Sequence, residues 1–159
     1  MVTLATIPGE PNDRPDATAM AAWRALLRYH ALATQTLDSE LREEHGIPIE
    51  WYDVLVQLSE HGGRMRMSAV AEATLFSRAN CTRIVDRMER KALVSREVDP
   101  QDHRGRIACL TPEGRRLLRS AARTHLRGIQ HVFGEGITSS EARKMASVLD
   151  RLSPDQNGP

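Results

Sequence analysis

The stretch SRANCTRIVDRMERKA, residues 77–92, reads as one helix with two unlike faces. Cys81, Ile84, Val85 and Met88 recur at helical spacing and form a narrow apolar stripe. Arg78, Asn80, Thr82, Arg83, Arg87, Arg90 and Lys91 fill much of the remaining surface. Such side chains reach base edges and phosphates, arginine suiting guanine and asparagine suiting adenine. Just before them, residues 68–75 (SAVAEATL) predict a shorter helix capped by Ser68, and Phe76-Ser77 leaves room for a tight turn. Helix, short turn and second helix with a polar outward face is the helix-turn-helix arrangement, with Ser77 to Arg83 at the leading end of the recognition helix. Alone, an arginine-rich amphipathic helix is equally well a solvated charged face. The residues after the helix decide between the two.

Residues 93–99 (LVSREVD) alternate apolar and polar side chains as a half-buried strand does, and residues 106–110 (RIACL) alternate again as an antiparallel partner. Between them lies a turn-rich, charged loop, PQDHRG. Strand, basic loop and strand directly after a helix-turn-helix make a wing, whose tip carries His103, Arg104 and Arg106 toward DNA beside the recognition helix. The charge distribution agrees. Residues 64–127 hold 15 Lys and Arg against 7 Asp and Glu, while the rest of the chain holds 7 against 14, so a net charge of +1 conceals a basic middle between acidic ends.

Working outward, residues 1–15, with three prolines and a glycine, predict a flexible arm. Asp16 can cap a first helix within residues 16–46, along which Met20, Trp23, Leu27, His30, Thr34, Leu37 and Leu41 follow by alternating threes and fours. A seam that long belongs to helix–helix packing, including packing against a second subunit. A second helix begins near Glu50 with Trp51, Val54, Leu55 and Leu58 as its buried face, ends at His61-Gly62-Gly63, and leaves residues 65–67 for a very short strand. Thr111-Pro112-Glu113 opens another helix, with Leu118, Ala122, His125, Ile129 and Val132 on one side. Thr138 and Glu141 spell a capping box for a last helix with Met145, Val148, Leu149 and Leu152 on its apolar face, and residues 154–159 make a flexible tail. The expected fold is mainly α with a small β-wing: a winged helix-turn-helix core at residues 50–111, flanked by long helices at residues 16–46 and 112–153.

Other classes lack their signals. Two cysteines fit neither a disulfide framework nor zinc spacing, so no metal or other cofactor is expected. No apolar run could span a membrane, the N-terminus is not a signal peptide, and a cytoplasmic, nucleoid-associated protein is the plain expectation. There is no glycine-rich phosphate loop, no G-x-S-x-G and no metal-spaced histidine pair, so an enzyme is not expected.

TRIVDRMERKALV (residues 82–94) and DPQDHRGRIACLTPEGRRLL (residues 99–118) resemble the MarR family of bacterial transcription regulators. The family commonly shows D-x-R in the wing and then L-T-x-x-G; here these are Asp102, Arg104, Leu110, Thr111 and Gly114. One departure is Ala92, where the family usually has glycine before the strand, so that turn is expected to be built differently. The resemblance implies a homodimer, held by the first and last helices, on a pseudopalindromic double-stranded DNA operator. It implies most often a repressor, in many cases released by a small aromatic or anionic effector. It puts Arg104 in the minor groove, makes Asp102 the residue that shapes the wing, and sets Ser77, Arg78, Asn80, Thr82 and Arg83, with Arg87 further along, toward the major groove. Some relatives sense peroxide through a cysteine near the start of the first long helix; this chain has none there, and Cys81 and Cys109 read as small buried hydrophobes. Trp23, His30, Thr34, Trp51 and Tyr52 are the candidate lining of an effector pocket, with plain packing the competing account. A winged helix that binds another protein instead of DNA is the alternative function.

Overall fold

The structure, a computed structural model, describes residues 15–102 and 105–153. Residues 1–14 of the expected 1–15 arm, the 154–159 tail, His103 and Arg104 lie outside the described residues. In chain order the elements are α1 (Ala17–His45), α2 (Ile49–Glu60), β1 (Arg64–Arg66), α3 (Met67–Ala73), α4 (Arg78–Arg90), β2 (Val94–Val98), β3 (Arg106–Leu110), α5 (Pro112–Val132) and α6 (Ser139–Leu152). The strands form one antiparallel sheet in the order β1-β3-β2, with Met65 opposite Ala108 and Arg96 opposite Ala108 on the other side. This is a winged helix-turn-helix core with long flanking helices.

The helix ends follow from local chemistry. The Asp16 carboxylate accepts from Ala19 N–H at 2.7 Å, and Gly46 closes α1 in the left-handed conformation. Thr111 caps α5, with Pro112 at its first turn, and Thr138 with Glu141 forms the expected capping box on α6. Ser68 does not cap α3. The short strand occupies residues 64–66 rather than 65–67 and runs straight into a helix that opens at Met67, so Arg66 takes the cap position without a side-chain bond.

The core of the winged unit gathers Val54, Leu55 and Leu58 of α2, Val70 and Ala71 of α3, the α4 stripe Cys81, Ile84, Val85 and Met88, and Val94, Ala108 and Leu110 of the wing strands. Burying that stripe turns the cationic face of α4 outward. A second cluster, Leu41, Ile47, Tyr52 and Ala121, joins α1, α2 and α5, and Trp51 packs against both. The face α5 buries is not the row of large side chains. Gly114, Ala121, Thr124 and Gly128 are buried instead, while Ile129 is exposed and Leu118, Ala122, His125 and Val132 are only partly covered. Small residues let α5 lie close on α1: a Cβ at Gly128 would collide with Leu37 and Glu40. Polar bonds secure the same contact, His45 Nε2 meeting Thr124 Oγ1 at 2.8 Å and Thr124 donating to Glu44 at 2.7 Å.

The outer ends of α1, α5 and α6 stay apolar and uncovered in the single chain. Trp23 is 52% exposed, Leu27 49% and Leu152 72%, and α6 buries no residue at all. Of the seven residues in the α1 seam, only Leu41 is buried.

Ala92 corrects an expectation. It sits at φ 56°, the left-handed conformation that glycine would adopt more easily, and the turn has the usual form: Leu93 N–H donates to Met88 C=O and Ala92 N–H to Glu89 C=O. The turn keeps its geometry, and alanine bears the steric cost. Ala92→Gly is therefore expected to stabilise the protein by about 1 kcal/mol, the lower end of the left-handed penalty for a residue with a Cβ. A denaturant titration checks this, and an unchanged or lower midpoint would refute it.

Candidate DNA interface

Ser77 caps α4, its hydroxyl oxygen accepting from Asn80 N–H at 3.2 Å. From that fixed start, Arg78, Thr82, Arg83, Arg87, Arg90 and Lys91 are exposed and Asn80 half-exposed. Thr82, itself exposed, donates its hydroxyl proton to Arg78 C=O at 3.0 Å. All six recognition-helix residues singled out from the sequence, Ser77, Arg78, Asn80, Thr82, Arg83 and Arg87, thus lie outside the buried stripe and reach solvent.

The two acids of the helix, Asp86 and Glu89, would oppose a polyanion. Both are taken up by Arg96 of β2, which sequence reading passed over. Its guanidinium lies 2.6 Å from Asp86 and 2.6 Å from Glu89, and its backbone N–H donates to Glu89 at 3.1 Å. The Glu89 hydrogen bonds hold the guanidinium pKa above its ordinary value. This fork neutralises the helix carboxylates and binds the wing to the recognition helix. The only sequence signal was an arginine at an inward position of β2, beside two acids one turn apart on α4.

A carboxylate also organises the root of the wing, and it is Asp99. It is 2% exposed, pairs with Arg66 Nε at 2.6 Å, and accepts from Gln101 N–H at 2.9 Å in an Asx turn. The Gln101 N–H first, and the Arg66 guanidinium after it, hold its carboxyl below the ordinary carboxylate range. Asp99 N–H donates to Gly105 C=O at 3.2 Å and Gly105 N–H to Asp102 C=O at 2.7 Å, closing the loop's base. Asp102, to which the sequence assigned the shaping of the wing, lies nearby in a cleft of about 340 Å³ shared with Arg66, Thr82, Arg96, Asp99 and Arg106. The wing root, Arg106 and the recognition helix thus meet at one groove.

The five residues proposed to line an effector pocket are not gathered around one cavity. Trp23 lines an apolar cleft of about 650 Å³ between α1 and α6, with Leu26, Val148 and Leu149. Tyr52 lines a different cleft beside Asp53, Thr74, Leu75 and His125. His30 is exposed, Thr34 half-buried, and Trp51 packs into the core. Cys81 and Cys109 are free and buried, and burial pushes both thiols up in pKa, the opposite of an activated sensor. Among the described residues no cluster of His, Cys, Asp or Glu could hold a metal ion, and no helix is long and apolar enough to cross a membrane.

A helix-turn-helix with a cationic outward face and an adjoining wing defines a winged-helix DNA-binding protein. Comparison with known proteins gives the family. The MarR family model matches residues 45–105. The transcriptional regulator HosA of Escherichia coli O111:H- is 31% identical over 96 residues, covering 58% of this chain and 70% of HosA. The crystal structure of AbsC, a MarR family transcriptional regulator from Streptomyces coelicolor, superposes with a TM-score of 0.83 at 31% identity, covering 92% of this chain and 99% of AbsC. A second Streptomyces coelicolor MarR family regulator, solved in complex with DNA, superposes with a TM-score of 0.84 at 27% identity over 91% of each chain. The chain belongs to the MarR family of transcriptional regulators.

Arg96→Ala leaves Asp86 and Glu89 without their cation. Expected are a loss of roughly 1–2 kcal/mol in stability, the lower part of the range for charged hydrogen bonds because the site is part-exposed, and weaker binding to duplex DNA. Asp86→Asn with Glu89→Gln in the Arg96→Ala background should restore much of the DNA affinity but not the stability. Restoration of neither would show that the fork does not act through helix charge.

Proposed function

We propose that the protein is a homodimeric transcriptional repressor acting on a pseudopalindromic operator, with α4 in the major groove and the wing, residues 99–106, at the minor groove. The observation that carries this reading is the outward face of α4, where the cationic side chains stand clear while the helix's own carboxylates are occupied by Arg96. The dimer is supported by the exposed apolar residues of α1, α5 and α6, Trp23, Leu27, Leu126 and Leu152 among them, which a second subunit would cover. Two-fold symmetry places two recognition helices about 34 Å apart, one turn of DNA. Arg104 at the wing tip is assigned to the minor groove, where arginine is favoured by the narrow groove's potential. Release by a small effector is part of the same reading, as is residence in the cytoplasm at the nucleoid.

The experiment is binding of the purified protein to duplex from upstream of its own gene, across a salt series, with random duplex as control. Specific binding that weakens steeply with salt is expected, since phosphate contacts release counterions. Arg83→Ala and Arg104→Ala should each weaken operator binding about tenfold, as lost contacts cost ~1–3 kcal/mol, with the dimer intact by mass. Unchanged affinity in both at physiological salt would sink the assignment. Absence of duplex binding even at low salt would instead point to a winged helix that binds protein.

A further inference from the structure

The cleft that contains Tyr52 takes its walls from both the DNA-reading unit and the flanking helices. Its volume is about 360 Å³. Tyr52, Asp53 and Gln57 of α2 form one wall, Thr74 and Leu75 of the α3–α4 turn a second, and His125 of α5 a third.

The charge of this cleft has one sign. None of its lining residues is lysine or arginine. Asp53 lies within it, and the neighbouring acids act on its groups: Glu50 on Asp53, Glu60 together with Asp53 on Tyr52, and Glu40 on His125. Burial, then Glu50, pushes Asp53 up to about 6, so its carboxylate lacks the partner that would offset its desolvation. His125 adds no positive charge, because burial pushes its pKa down. Its Nδ1 is buried and without a hydrogen-bond partner among the described residues. The rest of the cleft offers an aromatic and apolar wall. The Tyr52 and His125 rings stand 4.4 Å apart at 41°, and Leu75 on the rim is 77% exposed.

Leu75 also connects the cleft to DNA reading. It holds φ 58°, a left-handed conformation costly for a leucine, two residues before the Ser77 cap of α4. A molecule that covered the Leu75 side chain would bear on the turn that aims the recognition helix.

We propose that this cleft is the effector site and that it takes a planar organic cation, its charged end against Asp53 and its ring against the wall made by Tyr52, His125 and Leu75. This deepens the reading of the protein as an effector-released regulator and rests on it. Of the aromatic or anionic effector that the family resemblance implied, it keeps the aromatic ring and replaces the negative charge with a positive one, because an anion would meet only like charge here. The cation restores to Asp53 the partner it lacks, and displacement of Leu75 shifts the start of α4, which lowers DNA affinity.

The probe is benzamidine, compared with benzamide and benzoate, which keep the ring and change the charge. Calorimetry on the full chain at pH 7.5 should show benzamidine binding at least tenfold tighter than either. Its affinity should fall about tenfold by pH 5, as Asp53 is protonated through its value of about 6. Asp53→Asn should lose benzamidine binding at least tenfold. The substitution removes a poorly solvated charge, so its unfolding temperature at pH 7.5 should match or exceed the wild type's. Leu75→Lys, at an exposed rim position, is the second variant and should weaken benzamidine severalfold by repulsion. Benzoate binding as tightly as benzamidine, benzamidine binding unmoved by both variants, or no benzamidine binding would each overturn the proposal. DNA affinity with and without benzamidine is read separately. Asp53-dependent binding that leaves operator affinity unchanged would overturn the effector role, whereas failure to bind DNA without any probe would overturn the regulator reading instead.

Discussion

The guanidinium of Arg96 holds two carboxylates of the recognition helix from a strand of the wing, and much of the DNA-facing surface depends on that bond set. Helix α4 needs acidic residues no more than any DNA-reading helix does, yet it carries Asp86 and Glu89 in the middle of its arginines. Left alone, Asp86 would draw Arg83 and Arg90 into local pairs, because opposite charges three or four residues apart on a helix attract. With Arg96 occupying both, the cations of α4 are left for a partner. The same fork sets the wing's position, since β2 cannot move relative to α4 without breaking charge-assisted bonds. Charge balance and geometry are therefore one constraint here.

A second constraint is the closeness of α1 and α5. Ala121, Thr124 and Gly128 present almost no side chain to α1, and the Glu44–His45–Thr124 bonds close the contact. The larger residues are thereby turned away from the protomer's interior, which explains why so much leucine and tryptophan surface remains uncovered at the outer ends of α1 and α6. The sequence seam on α1 is real as a pattern. Within one chain it buries only its last member.

The order of elements was legible because it rests on local rules: the α4 stripe, the alternation in the wing strands, the caps at Asp16, Thr111 and Thr138. Positions that depend on approach between distant segments were not. Arg96 looks like any half-exposed strand arginine until β2 is laid against α4. Asp99 and Asp102 are both acids in one loop, and only the closed loop shows that Asp99 is the one buried against Arg66. The buried face of α5 was not legible because periodicity marks the large residues, while close packing is decided by the small ones. Trp23, His30 and Thr34 share a face of α1, yet Trp23 and Tyr52 line different clefts, since period fixes a face and says nothing about which cleft it lines.

Helix α5 begins at the foot of the wing and runs 21 residues to the outer end of the molecule. At 1.5 Å per residue that is a strut of roughly 31 Å, clamped to α1 from Thr124 to Gly128 by a close-packed, hydrogen-bonded seam. In the proposed homodimer it makes the separation of the two reading heads a property of rigid helices and leaves little of it to loops. Such a protein measures distance as well as sequence. Each base pair inserted between half-sites moves one of them about 3.4 Å along the axis and also turns it around the duplex, and a stiff caliper cannot follow both movements.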